Sequence, residues 1–408
     1  MYLPSILYDV FRFAFAGVFT GLHCVLMAGL FLEWRRDRRA VRWGQRLWEG
    51  GGEKKPVPGG AAAEFGSAAG GEAEDQPLVS VIIPIRNESL RMEGLLGSLG
   101  VQDYPRAEYI FIDDRSSDES LDMLRRFSEV HRNVRIIVLE ENPGPNHKQY
   151  ALCRGLEAAQ GKLILLTDAD CEVPQSWIRS MVFRMADKRT GVTIGPVFKK
   201  SGGRGFFYLY QCFDHAIRYM YLVASTGLGA AGGGFGNNLI VRKDALDAIG
   251  GYDAVPPSPT EDAALISRIR SASPYRVRSA CGEDVQVLTG SEKSWQGLVN
   301  QTLRWNNGGL FSPDPVTRFS FGFLMVTISM GIIAIPITPF IPSLWPLPAS
   351  VLLSMTMNAL ATLKLFGSAL PKGGPAYIIQ TVFTPIYFTF LTILGFCGIK
   401  VTWKDNPV

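Results

Sequence analysis

A buried-strand pattern opens the folded region in the stretch Leu78-Val79-Ser80-Val81-Ile82-Ile83-Pro84. On its C-terminal side, similar apolar runs alternate with segments of helical spacing. The further strands are predicted at residues 109–112, 134–139 and 162–166, and the helices at 88–99, 121–130 and 147–159. Strands that alternate with helices predict a parallel sheet covered on both faces. The sequence therefore predicts an α/β, Rossmann-like domain with a mostly parallel sheet over residues 78–318.

Acidic residues follow two of these predicted strands, where α/β sheets bind ligands. Asp168 and Asp170 come directly after the apolar run at 162–166. Two carboxylates one residue apart on a turn can share a divalent cation that bridges phosphate oxygens, although an acidic surface turn has the same pattern. Asp113 and Asp114 follow the strand at 109–112 and could accept hydrogen bonds from a base or ribose. The alternative there is helix capping by the residues that come next.

Three other sites in the sequence have side chains suited to proton transfer or phosphate binding. Asp262 lies at a predicted helix start, where the helix dipole stabilises a carboxylate that could act as a general base; capping alone is the alternative. Arg304 beside Trp305 could clamp a phosphate while the ring supports a sugar face. The same pair is typical of a membrane-interface anchor. Lys148 opens a helix and could reach a diphosphate, or could be a solvated surface lysine.

Apolar segments on both sides of this domain predict an integral membrane protein. Apolar residues make up 47% of the chain and charged residues 19%, against about 25% charged in a typical soluble domain. Residues 13–32 carry no charge and are long enough to span a bilayer, and the arginines that follow place that side in the cytoplasm. Residues 319–363 have the length of two spans, and residues 376–399 have the length of another.

The expected organisation therefore has four parts. They are an N-terminal transmembrane helix at 1–34, a basic juxtamembrane segment and flexible linker at 35–77, the cytosolic domain at 78–318, and a membrane region at 319–408 with about three transmembrane or re-entrant helices. We expect this to be the plasma (inner) membrane, with the domain at 78–318 in the cytoplasm.

Charge and cysteine usage exclude other classes of protein. A net charge of +4 is too mild to indicate a nucleic-acid partner. The six cysteines are scattered, without the spacing of a disulfide framework or a zinc site. The oligomeric state is left open.

Taken in order, the motifs resemble those of membrane-bound family 2 glycosyltransferases with the GT-A fold. The motifs are residues 81–88, Asp113 to Asp118, Asp168-Ala169-Asp170, Glu261-Asp262 and Gln301-x-x-Arg304-Trp305. The last of them is similar to the Q-x-x-R-W motif of cellulose, chitin and hyaluronan synthases and of ceramide glucosyltransferases. The resemblance covers about residues 78–318.

This resemblance implies a role for each matched residue. Asp170 would hold Mg²⁺ or Mn²⁺ on the diphosphate of a nucleotide-sugar. Asp262 would deprotonate the acceptor, Arg304 would neutralise the leaving diphosphate, and Trp305 would line the acceptor site. The donor-side residues would be Pro84, Glu88, Asp113, Asp114, Lys148, Asp168 and Gln301.

The resemblance also implies the reaction, an inverting transfer of a sugar from a nucleotide-sugar, expected to be UDP-linked. A membrane lipid is the expected acceptor, because the few apolar spans leave little protein to line an export channel for a polymer. A processive polysaccharide synthase is the alternative. A non-catalytic nucleotide-sugar-binding membrane subunit is a further alternative, although it would be free to lose Asp170, Asp262 or Arg304.

Overall fold

The computed structural model describes residues 3–49, 76–144, 146–203, 205–256, 258, 260–372, 378–396, 402–403 and 406–407. Two compact units divide the chain. The sheet unit comprises Glu33–Val197 and Gly233–Gly290, and the helical unit comprises Met1–Leu32, Phe198–Gly232 and Ser291–Val408. The predicted linker falls mostly on residues 50–75, which lie outside the described residues.

The sheet unit contains a seven-stranded sheet in the order β3-β2-β1-β4-β7-β5-β8. Its strands run parallel except for β7, which is antiparallel to both β4 and β5. This confirms the predicted α/β fold with a mostly parallel sheet. The strands, with two short ones included, are β1 Val79–Ile85, β2 Ala107–Asp113, β3 Val134–Val138, β4 Leu163–Leu166, β5 Thr190–Ile194, β6 Val197–Lys199, β7 Leu239–Arg242, β8 Arg276–Ser279 and β9 Val287–Thr289.

Both faces of the central strands are covered. Six of the seven residues of β1 are buried and the other, Pro84, is half-buried, the pattern expected of a strand with helices on both sides. Phe111, Leu165 and Trp177 belong to the same buried apolar cluster. The core therefore fixes the strands whose ends carry the acidic motifs.

Twelve α-helices are described along the chain. They are α1 Leu3–Glu49, α2 Glu93–Gly100, α3 Ser120–Val130, α4 His147–Ala158, α5 Trp177–Arg184, α6 Phe206–Gly227, α7 Lys243–Asp247, α8 Glu261–Ala272, α9 Trp295–Leu310, α10 Pro315–Ala334, α11 Pro346–Phe366 and α12 Thr384–Phe396. A π-helical turn, Ile379–Phe383, precedes α12. A short pair of strands, β10 Thr402–Trp403 and β11 Asn406–Pro407, follows it.

Three helices in the described part of the chain are long and apolar enough to cross a membrane: Val10–Glu49, Pro315–Ala334 and Pro342–Ala369. They cover the predicted N-terminal span and the two spans predicted at 319–363. The span predicted at 376–399 lies partly outside the described residues, and its described part contains the shorter apolar helix Thr381–Gly395. Helix α1 continues through the arginine-rich segment to Glu49. The boundaries at 34, 77 and 318 stay predictions.

Candidate active site

The loops after β1 and β2 are held together by hydrogen bonds. The Ser117 N–H donates to Asn87 Oδ1 at 2.8 Å, and the Asn87 N–H donates to Ser116 Oγ at 3.1 Å. Asn87 and Arg115 adopt positive φ angles of 53° and 57°, a conformation that non-glycine residues seldom adopt. These hydrogen bonds join the ends of two neighbouring strands into one continuous edge.

The acidic residues at this edge differ in how many of their carboxylate oxygens already have a hydrogen-bond or ion-pair partner. Asp114 is paired through both oxygens, with Arg115 Nε at 2.9 Å and Arg86 Nη1 at 3.3 Å. Glu88 pairs with Arg91 at 2.7 Å. Asp113 is 1% exposed and accepts the Ser116 N–H at 3.3 Å through Oδ2. Its Oδ1 is buried without a hydrogen-bond partner among the described residues. Asp113 therefore has acceptor capacity left for a ligand.

One lysine joins the end of β4 to the start of α8. Lys148 Nζ lies 2.7 Å from Asp168 Oδ1 and 3.4 Å from Glu261 Oε1. Burial alone would lower the pKa of Lys148, but the two carboxylates outweigh it and raise the pKa above its usual range. Asn146 caps α4, since its Oδ1 accepts the Gln149 N–H at 3.1 Å, and so fixes the helix start that carries Lys148.

Asp262 is half-buried beside this lysine. Its Oδ2 accepts the Gly236 N–H at 2.7 Å and its Oδ1 accepts the Ala263 N–H at 2.8 Å. Burial, followed by the charge of Glu261, raises the pKa of Asp262 to about 6, while Lys148 and the two N–H groups oppose the rise. A carboxylate with a pKa close to neutrality suits general base catalysis. We call Lys148, Asp168, Glu261 and Asp262 the Lys148 cluster.

Asp170 lies close to Asp168 on the same turn. Its Oδ2 accepts a hydrogen bond from the Thr289 hydroxyl at 3.0 Å, and the Cys171 thiol approaches Oδ1 at 3.7 Å. The described residues contain no group of three or more His, Cys, Asp or Glu side chains that could hold a metal ion. Two carboxylates fit Mg²⁺ or Mn²⁺ when phosphate oxygens and water supply the other ligands. The residues present therefore fit a metal that arrives with a diphosphate.

The remaining predicted residues lie on α9 in the helical unit. Gln301 Nε2 donates to Glu292 Oε1 at 3.0 Å. The Trp305 ring lies edge-on to His215, with 5.4 Å between ring centroids, and the Arg218 guanidinium lies 5.3 Å from the Trp305 centroid. Arg304 is half-buried on the same helix. Within the sheet unit the structure brings Lys148, Asp168 and the Glu261-Asp262 pair together, and Gln301, Arg304 and Trp305 belong to the other unit.

Several contributing residues could not be singled out from the sequence. Thr289 supports Asp170 from β9, and no local pattern around it signals that role. Gly236 belongs to the glycine-rich stretch 229–238, and a Cβ at this position would lie 3.1 Å from Asp262 Cβ. The high glycine content of this stretch did indicate that its backbone could approach another group closely.

Comparison with known proteins supports the fold and the family. The sequence model of glycosyl transferase family 21 matches residues 61–408. The glycosyltransferase AglE of Haloferax volcanii is 26% identical over 179 residues, which cover 43% of this chain and 56% of that protein. A beta-monoglucosyldiacylglycerol synthase of Trichormus variabilis is 25% identical over 179 residues, which cover 43% of this chain and 38% of that protein. The match thus spans about half or less of these two curated relatives.

Among solved structures, the mannosyltransferase PcManGT from Pyrobaculum calidifontis, in complex with GDP-Man and Mn²⁺, is similar with a TM-score of 0.51 and 19% identity. The similarity covers 94% of this chain and 98% of that chain, and at this identity it supports the fold alone. The GT-A glycosyltransferase fold that the motifs implied is confirmed. The family model adds a specific assignment, because it matches most of the sequence: the chain belongs to glycosyl transferase family 21.

Proposed function

We propose that this chain transfers a sugar from a nucleotide-sugar, UDP-linked, to a hydroxyl group of a membrane lipid, with inversion at the anomeric carbon and with Mg²⁺ or Mn²⁺ as cofactor. The observation that carries the proposal is the Lys148 cluster. It places an acidic turn suited to a metal-bound diphosphate and a carboxylate with a pKa of about 6 around one half-buried cation. Sugar transfer needs both a stabilised leaving group and a base for the acceptor.

On the donor side, the edge formed after β1 and β2 would hold the nucleoside. Asp113 is the best placed of its acids, because its buried Oδ1 still lacks a donor among the described residues. Asp114 and Glu88, already held by arginines, would shape the pocket together with Pro84. Asp168 would contact the nucleotide, and Lys148 would place a positive charge next to it.

Asp170 would hold the metal ion through the carboxylate that Thr289 orients. The ion would contribute neutralisation of the negative charge that develops on the leaving diphosphate. We propose the same task for Arg304 on α9 and a donor-binding role for Gln301 on the same helix.

Asp262 would accept the proton of the acceptor hydroxyl. The acceptor oxygen then forms a bond to the anomeric carbon while the bond from that carbon to the diphosphate breaks on the opposite face. This single displacement inverts the configuration at the anomeric carbon. The N–H groups of Gly236 and Ala263 would keep the Asp262 carboxylate oriented throughout.

A lipid acceptor is favoured over a growing polymer for two reasons. Three candidate spans are described, and a polymer would need a protein-lined route because sugar hydroxyls are costly in hydrocarbon. One of the two relatives described above is named as a synthase of a glycolipid. The Q-x-x-R-W motif also resembles that of processive synthases, so product size is the discriminating measurement.

The test incubates purified full-length protein with a panel of labelled nucleotide-sugars, membrane lipids and Mg²⁺ or Mn²⁺, followed by separation of lipid-soluble from polymeric product. We expect labelled lipid carrying one or very few sugars, lost in excess EDTA. A long lipid-free glycan would establish the polysaccharide synthase instead. Donor binding without any product would establish the non-catalytic subunit.

A further inference from the structure

The glycine-rich stretch 229–238 ends in two adjacent asparagines that differ in their contacts. Asn238 is 0% exposed. Its Nδ2 donates to the Pro196 and Val285 carbonyls at 2.8 Å each, and its Oδ1 accepts from Trp177 Nε1 at 3.0 Å. These three hydrogen bonds attach the end of the stretch to the core, so the role of Asn238 is structural.

Asn237, the other asparagine, has few contacts of this kind. Its side chain is half-buried, and among the described residues its amide makes one hydrogen bond, from Nδ2 to Cys171 Sγ at 3.5 Å. A thiol sulfur is a weak acceptor. The backbone does not require an asparagine here either, because the described non-glycine residues with positive φ are Asn87 and Arg115. The fold therefore leaves the amide of Asn237 available to a ligand.

Asn237 lies between the acidic turn and the proposed base, within the sheet unit. On one side, Cys171 Sγ is 3.5 Å from Asn237 Nδ2 and 3.7 Å from Asp170 Oδ1. On the other side, the N–H of the preceding residue, Gly236, donates to Asp262 Oδ2 at 2.7 Å. One cysteine thus separates Asn237 from the proposed metal ligand, and the residue next to Asn237 in the chain contacts the base.

We propose that Asn237 binds a hydroxyl group of the sugar that is transferred, and so helps to determine which nucleotide-sugar is used. This inference rests on the proposed function and names a residue that contacts the sugar. In an inverting transfer the leaving group and the attacking oxygen are on opposite faces of the anomeric carbon. With the diphosphate at Asp170 and the acceptor oxygen at Asp262, the sugar ring lies between these two residues, where Asn237 is.

The chemistry of this position favours a sugar hydroxyl over a phosphate. Asp170 and Asp262 both carry carboxylates, which repel a phosphate that brings no metal ion of its own. An uncharged hydroxyl group has no such cost. A side-chain amide suits it, because Nδ2 can donate to the hydroxyl oxygen and Oδ1 can accept its hydrogen. Sites that bind a substrate hydroxyl in this way reject analogues that lack it.

The test compares each nucleotide-sugar with its own nucleoside diphosphate. Equilibrium dialysis of the purified full-length protein, with Mg²⁺ or Mn²⁺, measures Kd for UDP-glucose, UDP-N-acetylglucosamine and UDP, and for GDP-mannose and GDP. The diphosphate has the nucleoside and the phosphates but no sugar, so the ratio of the two Kd values reports the sugar contacts.

Two variants and one control enter this comparison. Asn237→Ala removes the amide, and Asn237→Ser keeps a shorter hydrogen-bonding group. The matched control is Asn133→Ala, which removes the hydrogen bond from Nδ2 to the carbonyl of Ala107, the first residue of β2, at 2.9 Å. That end of β2 is opposite to the end that carries Asp113.

We expect Asn237→Ala to weaken binding of the preferred nucleotide-sugar by about fivefold to thirtyfold, as for the loss of one or two hydrogen bonds, and binding of its diphosphate by less than about twofold. Asn237→Ser should give an intermediate loss, and Asn133→Ala should alter neither affinity. Monodeoxy analogues of the preferred donor then identify the hydroxyl. One of them should bind the unaltered protein more weakly than the donor does, and Asn237→Ala should abolish that difference.

Equal losses of affinity for the nucleotide-sugar and for the diphosphate would overturn the proposal, because Asn237 would then act only through the metal-binding turn. Unchanged binding of both would overturn it as well. If Asn237→Ala does not fold, as judged by thermal unfolding, Asn237→Ser decides. The dialysis needs neither acceptor nor turnover, so a negative result for Asn237 leaves the proposed function standing. Failure of every nucleotide-sugar to bind the unaltered protein would overturn the proposed function and this inference with it.

Discussion

Two cations of the sheet unit, the half-buried Lys148 and the buried Arg184, are each held by two carboxylates. Lys148 lies 2.7 Å from Asp168 and 3.4 Å from Glu261. Arg184 on α5 lies 2.7 Å from Asp37 of α1 and 2.8 Å from Asp284. Lys148 and Arg184 have the same number of carboxylate partners, so the two groups differ in the residues that surround these ion pairs.

Arg184 and its partner Asp37 each make further hydrogen bonds besides their ion pair. Asp37 also accepts the Cys281 N–H at 3.0 Å, and Arg184 Nη1 donates to the Ser180 carbonyl at 2.8 Å. Around Lys148, by contrast, a third carboxylate, Asp262, adds negative charge. We infer that the Arg184 group stabilises the fold and that the Lys148 cluster keeps surplus carboxylate for chemistry.

The largest expected effect comes from removing that surplus carboxylate. Asp262→Asn preserves the side-chain volume but cannot accept a proton, so turnover should fall on the order of 10²-fold or more while donor affinity is retained. Initial rates and equilibrium donor binding on the purified protein measure the two quantities. Asp122→Asn, at an exposed pair on α3, is the matched control. Normal turnover in Asp262→Asn would reduce Asp262 to a helix-start residue.

At Arg184 we expect a substitution to lower stability rather than turnover. Arg184→Met leaves the buried Asp37 without its counterion, which should lower the free energy of unfolding by roughly 3–5 kcal/mol. Arg125→Met breaks an exposed pair with Asp122 and should cost at most about 1 kcal/mol. Denaturant unfolding followed by circular dichroism compares the two variants. Equal losses would show that the Arg184 group has no special stabilising role.

A smaller effect concerns pH. Because the pKa of Asp262 is raised to about 6, kcat/KM should fall about tenfold for each pH unit below that value and level off above it. The folded-state pKa exceeds the unfolded one, so this group favours folding while protonated, and that contribution is lost as pH rises through about 4 to 6. In Asp262→Asn, this contribution to the pH dependence of the free energy of unfolding should be absent. A flat rate profile between pH 5 and pH 7, measured at roughly unit intervals, would contradict the assignment.

The sequence predicted those features of the sheet unit that depend on local sequence pattern. Apolar runs located β1 to β4, and the acids after β2 and β4 lie at strand ends as expected. The partner of Lys148 could not be predicted, because Asp168 and Glu261 approach it only after α4, β4 and α8 have packed. The antiparallel strand β7 was likewise hidden, since strand direction depends on a long-range pairing with β4 and β5.

The membrane segments show the same limit. Hydropathy located the apolar helices, but the end of α1 at Glu49 was not evident, because the arginines that mark the membrane boundary are also good helix formers. Glu33 and Asp37 then anchor this part of α1 within the sheet unit through the Ser279 N–H, at 3.0 Å, and Arg184. Such acids in a basic segment look like ordinary surface residues until their partners are known.

The smallest expected effect tests whether the start of α4 positions Lys148. Asn146 uses Oδ1 to cap the helix and Nδ2 to reach the Ser258 carbonyl at 2.8 Å. Asn146→Ala should cost about 1 kcal/mol of stability and raise KM for the donor a few-fold, because Lys148 is the second residue of that helix. Asn146→Asp keeps the capping oxygen, which is favourable at a helix N-terminus, and loses only the contact to Ser258. It should therefore restore stability but only part of the donor affinity. Asp314→Ala removes the corresponding cap of α10, where the side chain accepts the Thr317 N–H at 2.7 Å, and controls for a capping loss on a helix without predicted site residues. If Asn146→Ala and Asp314→Ala change the donor KM equally, the start of α4 has no specific part in holding Lys148.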